Sequence, residues 1–358
     1  MVFQGVETNA NSDVPEASSP PILTVDNLVQ EFHVRGKTGI TGVLHAVSGV
    51  SLEIRRGEAL GVVGETGCGK STLARSIMQS PPPRSGSVIL DDTDLTTLHA
   101  RQLREARRAM QMIFQDPFSS LDPTWRVRDI ITEPLAGFNV GGSKADRERR
   151  AMELLELVGL RPSQFATRRP KTLSGGQAQR VAIARALSVS PALLICDEPV
   201  SSLDVLIQAQ ILNLFDDLRR ELGVAYLFIS HDLGTVQYVC DRVAVMYLGR
   251  FCEVGAANEL YSNPLHPYTA ALLASRPIAT SKGESTRKAA LTSAEVPSAL
   301  DPPSGCRFRT RCPRARQLCA SEVPAMRELR PGHQVACHYP LSEDPEASST
   351  DPSLLIDR

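Results

Sequence analysis

The sequence has almost no charge imbalance, no long apolar run and no secretion signal. Its 39 Lys and Arg residues stand against 40 Asp and Glu residues, a net charge of -1, so charge gives no argument for a nucleic-acid partner and none is predicted. The longest apolar runs, such as 224–229, are far shorter than the roughly 18 residues of a membrane-spanning helix. Residues 1–21 lack the basic start and apolar centre of a signal peptide, and we expect them to form a disordered tail in the cytosol.

A glycine-rich stretch at Gly64–Thr72, GETGCGKST, fits the pattern G-x-x-x-x-G-K-[ST] in every fixed position. An apolar strand is predicted before it and a helix from Lys70, which is the context that this pattern requires. Its glycines let backbone N–H groups point into the loop, and the helix N-terminus adds partial positive charge. Lys70 would reach the β- and γ-phosphates of a nucleotide, and the Ser71 hydroxyl would bind Mg²⁺.

A second stretch, Leu193–Asp204, reads LLICDEPVSSLD. Its apolar start predicts a buried strand that carries Asp197 and Glu198 at its end. Such a pair could by itself be a solvated turn. Together with a phosphate-binding loop, the two adjacent carboxylates indicate a metal ion and a water molecule to be activated.

A third stretch joins a buried strand to a loop with aromatic residues. The apolar residues at 110–114 predict a strand that ends at Gln115, and a loop is predicted from Asp116 to Trp125. Its aromatic side chains indicate either a docking surface for a partner or a packed lid.

Two further signals are weak on their own. The stretch Leu173–Gln177, LSGGQ, precedes a predicted helix and could leave N–H groups open to a phosphate, or could be a plain turn. His231 follows the apolar strand at 224–229, a position where a histidine is by default a packed surface residue. The alternation of strands and helices along the chain predicts an α/β core.

In this order, the stretches give the chain from Ile22 to Pro277 a resemblance to the ATP-binding subunits of ABC transporters. The matching motifs are Walker A at Gly64–Thr72, the Q-loop at Gln115, the signature at Leu173–Gln177, Walker B at Leu193–Glu198, the D-loop at Ser201–Asp204 and the switch histidine at His231. The resemblance implies an ABC-type P-loop ATPase domain with a RecA-like core, an antiparallel β subdomain and a helical subdomain. It also implies two subunits arranged head to tail, with ATP between Walker A of one and the signature of the other.

The resemblance also implies roles for individual residues. The implied catalytic residues are Lys70, Gln115, Glu198 and His231. Glu198 would accept a proton from the attacking water, and His231 would sense the γ-phosphate and fix Glu198. The implied Mg²⁺ ligands are Ser71, Gln115 and Asp197. The implied ATP contacts are Phe32, Gly64, Gly67, Cys68, Gly69, Lys70, Ser71, Thr72, Ser174, Gly175, Gly176, Gln177 and Asp204. Phe32 would stack on adenine, although a core position is the competing interpretation.

Several strings resemble the dipeptide/oligopeptide importer subgroup: GETGCGKST, FQDPFSSLDP, EPVSSLDV and SNPLHPYTAALLASRP. The pattern departs from the family at Thr66, Ser202 and Ala178. The implied partners are a second and different ATPase subunit, two transmembrane permeases and an extracytoplasmic peptide-binding protein, with the chain at the cytoplasmic face of the membrane. An importer of nickel or another small solute is the alternative. A soluble ABC protein is disfavoured because the chain has one cassette and no coiled-coil insertion.

The eight cysteines divide into two groups. Cys68, Cys196, Cys240 and Cys252 are isolated in apolar or phosphate-loop contexts and are predicted to be buried thiols. Cys306, Cys312, Cys319 and Cys337 lie close together in the sequence and predict a metal site in a reducing cytosol. Their spacing matches neither the usual zinc pairs nor the common ferredoxin runs. Family resemblance favours a [4Fe-4S] cluster, with zinc as the alternative. Arginines among them would offset cluster charge or form a solvated basic face.

Composition and motifs together predict five regions. A disordered tail at 1–21 precedes the nucleotide-binding domain at 22–279. A linker at 280–304, rich in Ser, Thr, Lys and Pro, leads to a Cys-rich extension at 305–341, and a second disordered tail follows at 342–358.

Overall fold

The computed structural model describes residues 20–35, 41–275 and 295–341. The described strands are β1 (Leu23–Arg35), β2 (Thr41–Ile54), β3 (Ala59–Val63), β4 (Ser85–Leu90), β5 (Thr93–Asp94), β6 (Met110–Ile113), β7 (Leu193–Asp197), β8 (Ala225–Ser230), β9 (Arg242–Tyr247), β10 (Arg250–Ala256), β11 (Arg327–Arg330) and β12 (His333–Val335). The described helices are α1 (Lys70–Ile77), α2 (Ala100–Ala106), α3 (Pro117–Ser120), α4 (Val127–Gly137), α5 (Lys144–Leu157), α6 (Pro162–Phe165), α7 (Gly175–Leu187), α8 (Val205–Leu222), α9 (Leu233–Val239), α10 (Ala257–Ser262), α11 (Pro267–Ala274) and α12 (Leu318–Ser321).

An eight-stranded sheet forms the centre, in the order β11-β12-β10-β9-β3-β8-β7-β6. The five strands from β9 to β6 are parallel, and the remaining three are antiparallel. Strands β3, β7 and β8 are buried along their whole length, as expected for parallel strands covered on both faces. The carboxyl ends of parallel strands lie together, so the loops after β3, β6, β7 and β8 meet at one end of the sheet.

A second sheet is antiparallel and has the order β2-β1-β4-β5. Its apolar face joins helix α1 and one face of the central sheet in a shared core that includes Val50, Leu73 and Val62. The helices α4, α5 and α7 pack on one another through Ile130, Leu154 and Val181. This arrangement confirms the predicted α/β P-loop cassette with its antiparallel sheet and helical part.

The region from Asp116 to Trp125 is not entirely a loop, as the sequence predicted. Helix α3 lies within it because Asp116 accepts a hydrogen bond from the Phe118 amide at 3.0 Å and Pro117 occupies the first helical turn. Phe118 and Trp125 are 42% and 43% exposed, whereas Leu121 is buried. The exposed aromatics favour a docking surface over a packed lid.

The C-terminal residues are built into the cassette. Strands β12 and β11 continue the central sheet beyond β10, and the His45 amide donates to the Ala299 carbonyl at 3.0 Å. Most of the two predicted tails and the first part of the predicted linker lie outside the described residues, so the domain boundaries stay predictions. Within the three described ranges, no helix combines the length and the apolar character needed to cross a bilayer.

Candidate nucleotide site

The phosphate loop, residues Gly64–Thr72, lies between β3 and the N-terminus of α1. Gly69 caps α1 with a φ of 109°. A Cβ atom at Gly69 would lie 2.1 Å from the Ala46 carbonyl oxygen, so this position requires glycine both for its backbone conformation and for the close approach of β2. The loop therefore has the tight backbone that the sequence pattern predicted.

Lys70 is buried at the start of α1. Its Nζ atom donates to the carbonyl oxygens of Gly64 at 2.8 Å and Glu65 at 3.0 Å. These bonds hold the ammonium group across the loop, where a bound phosphate could exchange with the carbonyl oxygens as its partner.

Ser71 and Asp197 connect the phosphate loop to the end of β7. The Ser71 hydroxyl donates to the Asp197 carboxylate at 2.8 Å. Burial raises the pKa of the Asp197 carboxyl, and the Ser71 hydrogen bond opposes that effect. The two side chains place oxygen ligands side by side, which is the donor chemistry that Mg²⁺ prefers.

Glu198 is contacted by two other predicted catalytic residues. Its Oε2 atom accepts a hydrogen bond from Gln115 Nε2 at 3.2 Å and lies 3.1 Å from His231 Nδ1. Glu198 has a φ of 49°, a conformation that is costly for a side chain with a Cβ atom and that is concentrated at functional sites. The ends of β6, β7 and β8 thus bring three polar side chains to one carboxylate oxygen.

These side chains border a cavity of about 500 Å³. The predicted site residues that line it are Gly67, Gly69, Lys70, Ser71, Thr72, Gln115, Glu198 and His231. Asp197 contacts the cavity wall through Ser71. The described residues that complete the lining, and that were not predicted to bind ATP, are Leu44, Ala46, Thr66, Ser201, Ser202 and Ala299.

Phe32, Gly64, Cys68 and Asp204 are outside the described lining of this cavity. Phe32 pairs with Leu44 across β1 and β2, and Leu44 is the residue that faces the cavity. The Asp204 carboxylate accepts the Ile207 amide at 3.0 Å and so caps helix α8. The predicted ATP contacts of these residues stay predictions.

The signature residues Ser174–Gln177 are also outside the lining of the cavity. They form the N-terminus of α7, where Ser174 and Gln177 cap each other: the Ser174 amide donates to Gln177 Oε1 at 3.1 Å, and the Gln177 amide donates to Ser174 Oγ at 3.4 Å. Gly176 packs closely on α8, since a Cβ atom there would lie 2.4 Å from Ile207 Cγ2.

The four C-terminal cysteines are unpaired thiols. Burial raises the pKa of Cys306 and Cys312 and raises that of Cys337 to about 12. The backbone amides of Phe308, Arg314 and Tyr339 oppose this effect and lower the pKa of Cys306, Cys312 and Cys337, respectively. Among the described residues, no three His, Cys, Asp or Glu side chains are arranged to hold a metal ion. The predicted metal centre therefore stays a prediction.

Comparison with known proteins agrees with this geometry. A sequence profile described as "ABC transporter" matches residues 47–201, and one described as "Oligopeptide/dipeptide transporter, C-terminal region" matches residues 252–319. The oligopeptide transport ATP-binding protein AppF of Bacillus subtilis is 46% identical over 327 residues, which are 90% of this chain and 98% of that protein. The chain belongs to the ABC transporter family. It is an ATPase of that family.

Other ABC proteins give the same result. The probable peptide ABC transporter ATP-binding protein y4tS of Sinorhizobium fredii is 47% identical over 340 residues, 94% of each chain. Among solved structures, the dimeric ABC cassette MJ0796 bound to ADP and Pi is 28% identical, with a TM-score of 0.59 over 66% of this chain and 98% of that chain. CbiO1 of Clostridium perfringens, part of the transporter complex CbiONQ, gives the same TM-score of 0.59.

Proposed function

We propose that this ABC ATPase energises the import of di- or oligopeptides. The observation that carries the proposal is the cavity where Lys70, Glu198 and His231 meet, in a chain whose C-terminal part matches the oligopeptide/dipeptide transporter region. Relatives that share both parts over nearly their whole length are named oligopeptide or peptide transport ATP-binding proteins.

In this proposal Glu198 is the general base for hydrolysis. Gln115 and His231 hold one of its carboxylate oxygens, which leaves the other oxygen to accept a proton from water. Lys70 would exchange its carbonyl partners for phosphate oxygens. Hydrolysis of a phosphoanhydride depends mainly on such positioning and on charge neutralisation.

Mg²⁺ would be held by Ser71, Asp197 and Gln115. When bound, it would neutralise charge that develops on the phosphate oxygens. The bond between Ser71 and Asp197 supports this assignment because it already orients two oxygen ligands toward the same region.

A second ATPase subunit would complete the site. Lys70 and the signature helix lie in different parts of the chain, and the signature is outside the cavity. Head-to-tail pairing would place Ser174–Gln177 of one subunit against the nucleotide of the other. The named structural relative is itself a dimer.

The permease pair would dock at the exposed aromatics beside the Q-loop. Phe114, Phe118 and Trp125 are partly exposed next to Gln115, and a cluster of exposed apolar side chains marks an interaction site. The chain would then be a peripheral subunit at the cytoplasmic face of the membrane, supplied from the other side by a peptide-binding protein.

The test is transport by the assembled complex in vesicles. We expect ATP-dependent accumulation of a labelled tripeptide, lost in a complex that contains Glu198→Gln. Accumulation of nickel ion without peptide would contradict the substrate class. ATP hydrolysis without movement of any solute would contradict the transport function.

We also propose that Cys306, Cys312, Cys319 and Cys337 bind a metal centre, a [4Fe-4S] cluster in preference to zinc. The backbone amides that lower the pKa of three of these thiols support it, because they favour the thiolate forms that bind metal. A bound cation would also offset the burial that disfavours the thiolate forms. Because the four sulfur atoms do not surround a metal site in this structure, they would have to move closer together to bind the centre.

Anaerobic purification followed by iron, sulfide and zinc analysis tests this metal site. We expect iron and sulfide in equal amounts and their loss in Cys306→Ser. Zinc without iron or sulfide would contradict the cluster, and absence of both metals would contradict the site.

A further inference from the structure

Glu65 occupies a position of the phosphate loop that the general sequence pattern leaves unspecified, yet both its backbone and its side chain are held. Its amide donates to Tyr268 Oη at 3.0 Å. Its carboxylate accepts two hydrogen bonds from Arg311, from Nη1 at 2.7 Å and from Nη2 at 2.9 Å. Its carbonyl oxygen accepts from Lys70 Nζ at 3.0 Å. Glu65 thus connects Lys70, whose ammonium group would bind phosphate, with two side chains from the C-terminal part of the chain, Tyr268 and Arg311.

The pair between Arg311 and Glu65 has the geometry of a strong contact. Arg311 Nη1 donates to Glu65 Oε2 and Arg311 Nη2 donates to Glu65 Oε1, which is the bidentate arrangement. The Arg311 side chain is only 5% exposed, so solvent screens the pair less than an ordinary surface ion pair.

Arg311 is itself fixed by an aromatic cluster. The rings of Tyr247, Tyr268 and Phe308 contact one another, with centroids 4.7 to 5.3 Å apart. The Arg311 guanidinium lies over Tyr247 and Phe308, at 5.8 and 6.0 Å from their centroids. Phe308 and Arg311 belong to the stretch between Cys306 and Cys312, whereas Tyr247 ends β9. The Cys-rich segment, residues 305–341, therefore packs directly against the phosphate loop.

A second connection runs beside the first. Arg307 donates to the Leu248 carbonyl and, at 2.9 Å, to the Ser48 hydroxyl. The neighbouring Gly249 amide donates to the Cys68 carbonyl in the phosphate loop at 2.7 Å. Arg311 thus reaches the phosphate loop, and Arg307 reaches the turn that supports it.

We propose that Arg311 is a positioning residue of the nucleotide site, and that the Cys-rich segment acts through it to hold the phosphate loop ready for ATP. A loop built on several glycines has many accessible conformations, and fixing it before binding lowers the entropy lost when the nucleotide arrives. The inference rests on the proposed role of the loop in binding ATP. It adds a residue far along the chain to that site.

The test compares Arg311→Met with Arg309→Met in the full-length chain. Arg309 belongs to the same stretch, but its guanidinium donates to Ser304, which immediately precedes the Cys-rich segment. Titration with a fluorescent ATP analogue and Mg²⁺ gives Kd, and steady-state hydrolysis in the assembled complex gives KM and kcat. We expect Arg311→Met to raise Kd and KM about tenfold, the effect of losing one charged hydrogen-bonded pair, with kcat within about threefold of wild type. Arg309→Met should leave all three unchanged.

Two variants keep the test decisive if Arg311→Met does not fold. Arg311→Lys retains the positive charge but loses the bidentate contact with Glu65. It should raise the Kd of the ATP analogue about threefold. Glu65→Gln leaves Arg311 in place and should also weaken binding. When Glu65→Gln is combined with Arg311→Met, the combined effect should be smaller than the sum of the two, because both act on one contact.

Wild-type Kd in Arg311→Met, with or without a lower melting temperature, would overturn the proposal and leave the ATP site intact. Additive effects of the two substitutions would also overturn it. Failure of the wild-type chain to bind the analogue would instead contradict the proposed function itself.

Discussion

The two surfaces that are proposed to bind ATP differ in how complete they are within one chain. On the phosphate-loop side, Lys70, Ser71 and Glu198 already contact their neighbours around one cavity. On the signature side, the backbone amides of Ser174 and Gln177 each donate to the side chain of the other residue at the N-terminus of α7. The first surface is assembled by strands of a single sheet, whereas the second is a capped helix end outside the lining of that cavity.

Exposed apolar residues adjoin the second surface. Val205 and Leu206, which follow the D-loop, are 81% and 77% exposed, and Gly176 of the signature packs on the same helix, α8. Exposed apolar side chains of this kind are typical of a surface that another protein chain covers. Under the proposed head-to-tail pairing, ATP would bind first to the phosphate-loop surface of one subunit, and hydrolysis would require both subunits.

The largest effect is expected on the phosphate-loop surface, where one substitution should slow ATP hydrolysis without weakening ATP binding. Glu198→Gln keeps the shape of the side chain and removes its basicity, so hydrolysis should fall by about 10²- to 10⁴-fold while ATP affinity stays near wild type. Phosphate release in a single turnover measures the first and analogue titration the second. Glu221→Gln, on the exposed end of α8, is the matched control. Hydrolysis by Glu198→Gln at the control rate would refute the base assignment.

A smaller effect is expected from the signature side. Gly176→Ala would push against Ile207, and the shifted helix end should lower hydrolysis by about tenfold, while ATP affinity of the isolated subunit is unchanged. Hydrolysis and analogue binding are measured on the same preparations.

Adding Ile207→Ala to Gly176→Ala tests the physical cause. This second change removes the methyl group that the new Cβ would meet, and it should restore most of the lost hydrolysis. Weakened binding of ATP to the isolated Gly176→Ala subunit would contradict the division between the two surfaces.

The smallest effect is expected at His266, which holds Tyr268 beside the phosphate loop. His266 is buried, accepts the Tyr268 amide at 3.0 Å and has its pKa lowered from 6.5 to about 4 by burial, against the opposing charge of Glu253. The unfolded chain therefore binds a proton before the folded chain as pH falls, and stability is lost between pH 6.5 and about 4.

His266→Asn keeps an acceptor for the Tyr268 amide and removes the titration. From about pH 7.5 to about pH 5.5, the wild type should lose about 1 kcal/mol more unfolding free energy than the variant. Urea unfolding of both proteins at each pH measures this difference. An equal loss in both would show that another group is responsible.

The strands that carry the phosphate-loop surface were predictable from the sequence. Apolar runs predicted strands β3, β7 and β8, and parallel strands deliver the residues that follow them to one end of a sheet. The grouping of Lys70, Glu198 and His231 in one site came from the resemblance to ABC ATPases, because the residues alone gave His231 only a surface position. The glycine pattern likewise fixed the start of α1.

Contacts that depend on tertiary packing were beyond the sequence. Glu65 and Arg311 are 246 residues apart, and neither periodicity nor a local motif connects them. The arginines of the Cys-rich segment were predicted to offset cluster charge or to face solvent, and the solvent-facing alternative was wrong for Arg311, which is buried against Glu65. Ala299 was assigned to a linker, yet it borders the cavity. A signal was present in Glu65 itself, an acid inside a loop that binds anions.

The position of β11 has a consequence for solubility. This short strand is the last in the central sheet, its sequence is RELR, and its first two residues are exposed. Charged side chains on an outermost strand discourage pairing with strands of other molecules. Removal of the C-terminal residues would uncover β10, whose residues are mostly buried. The Cys-rich segment thus covers the edge of the central sheet at β10 and ends that sheet in a charged strand.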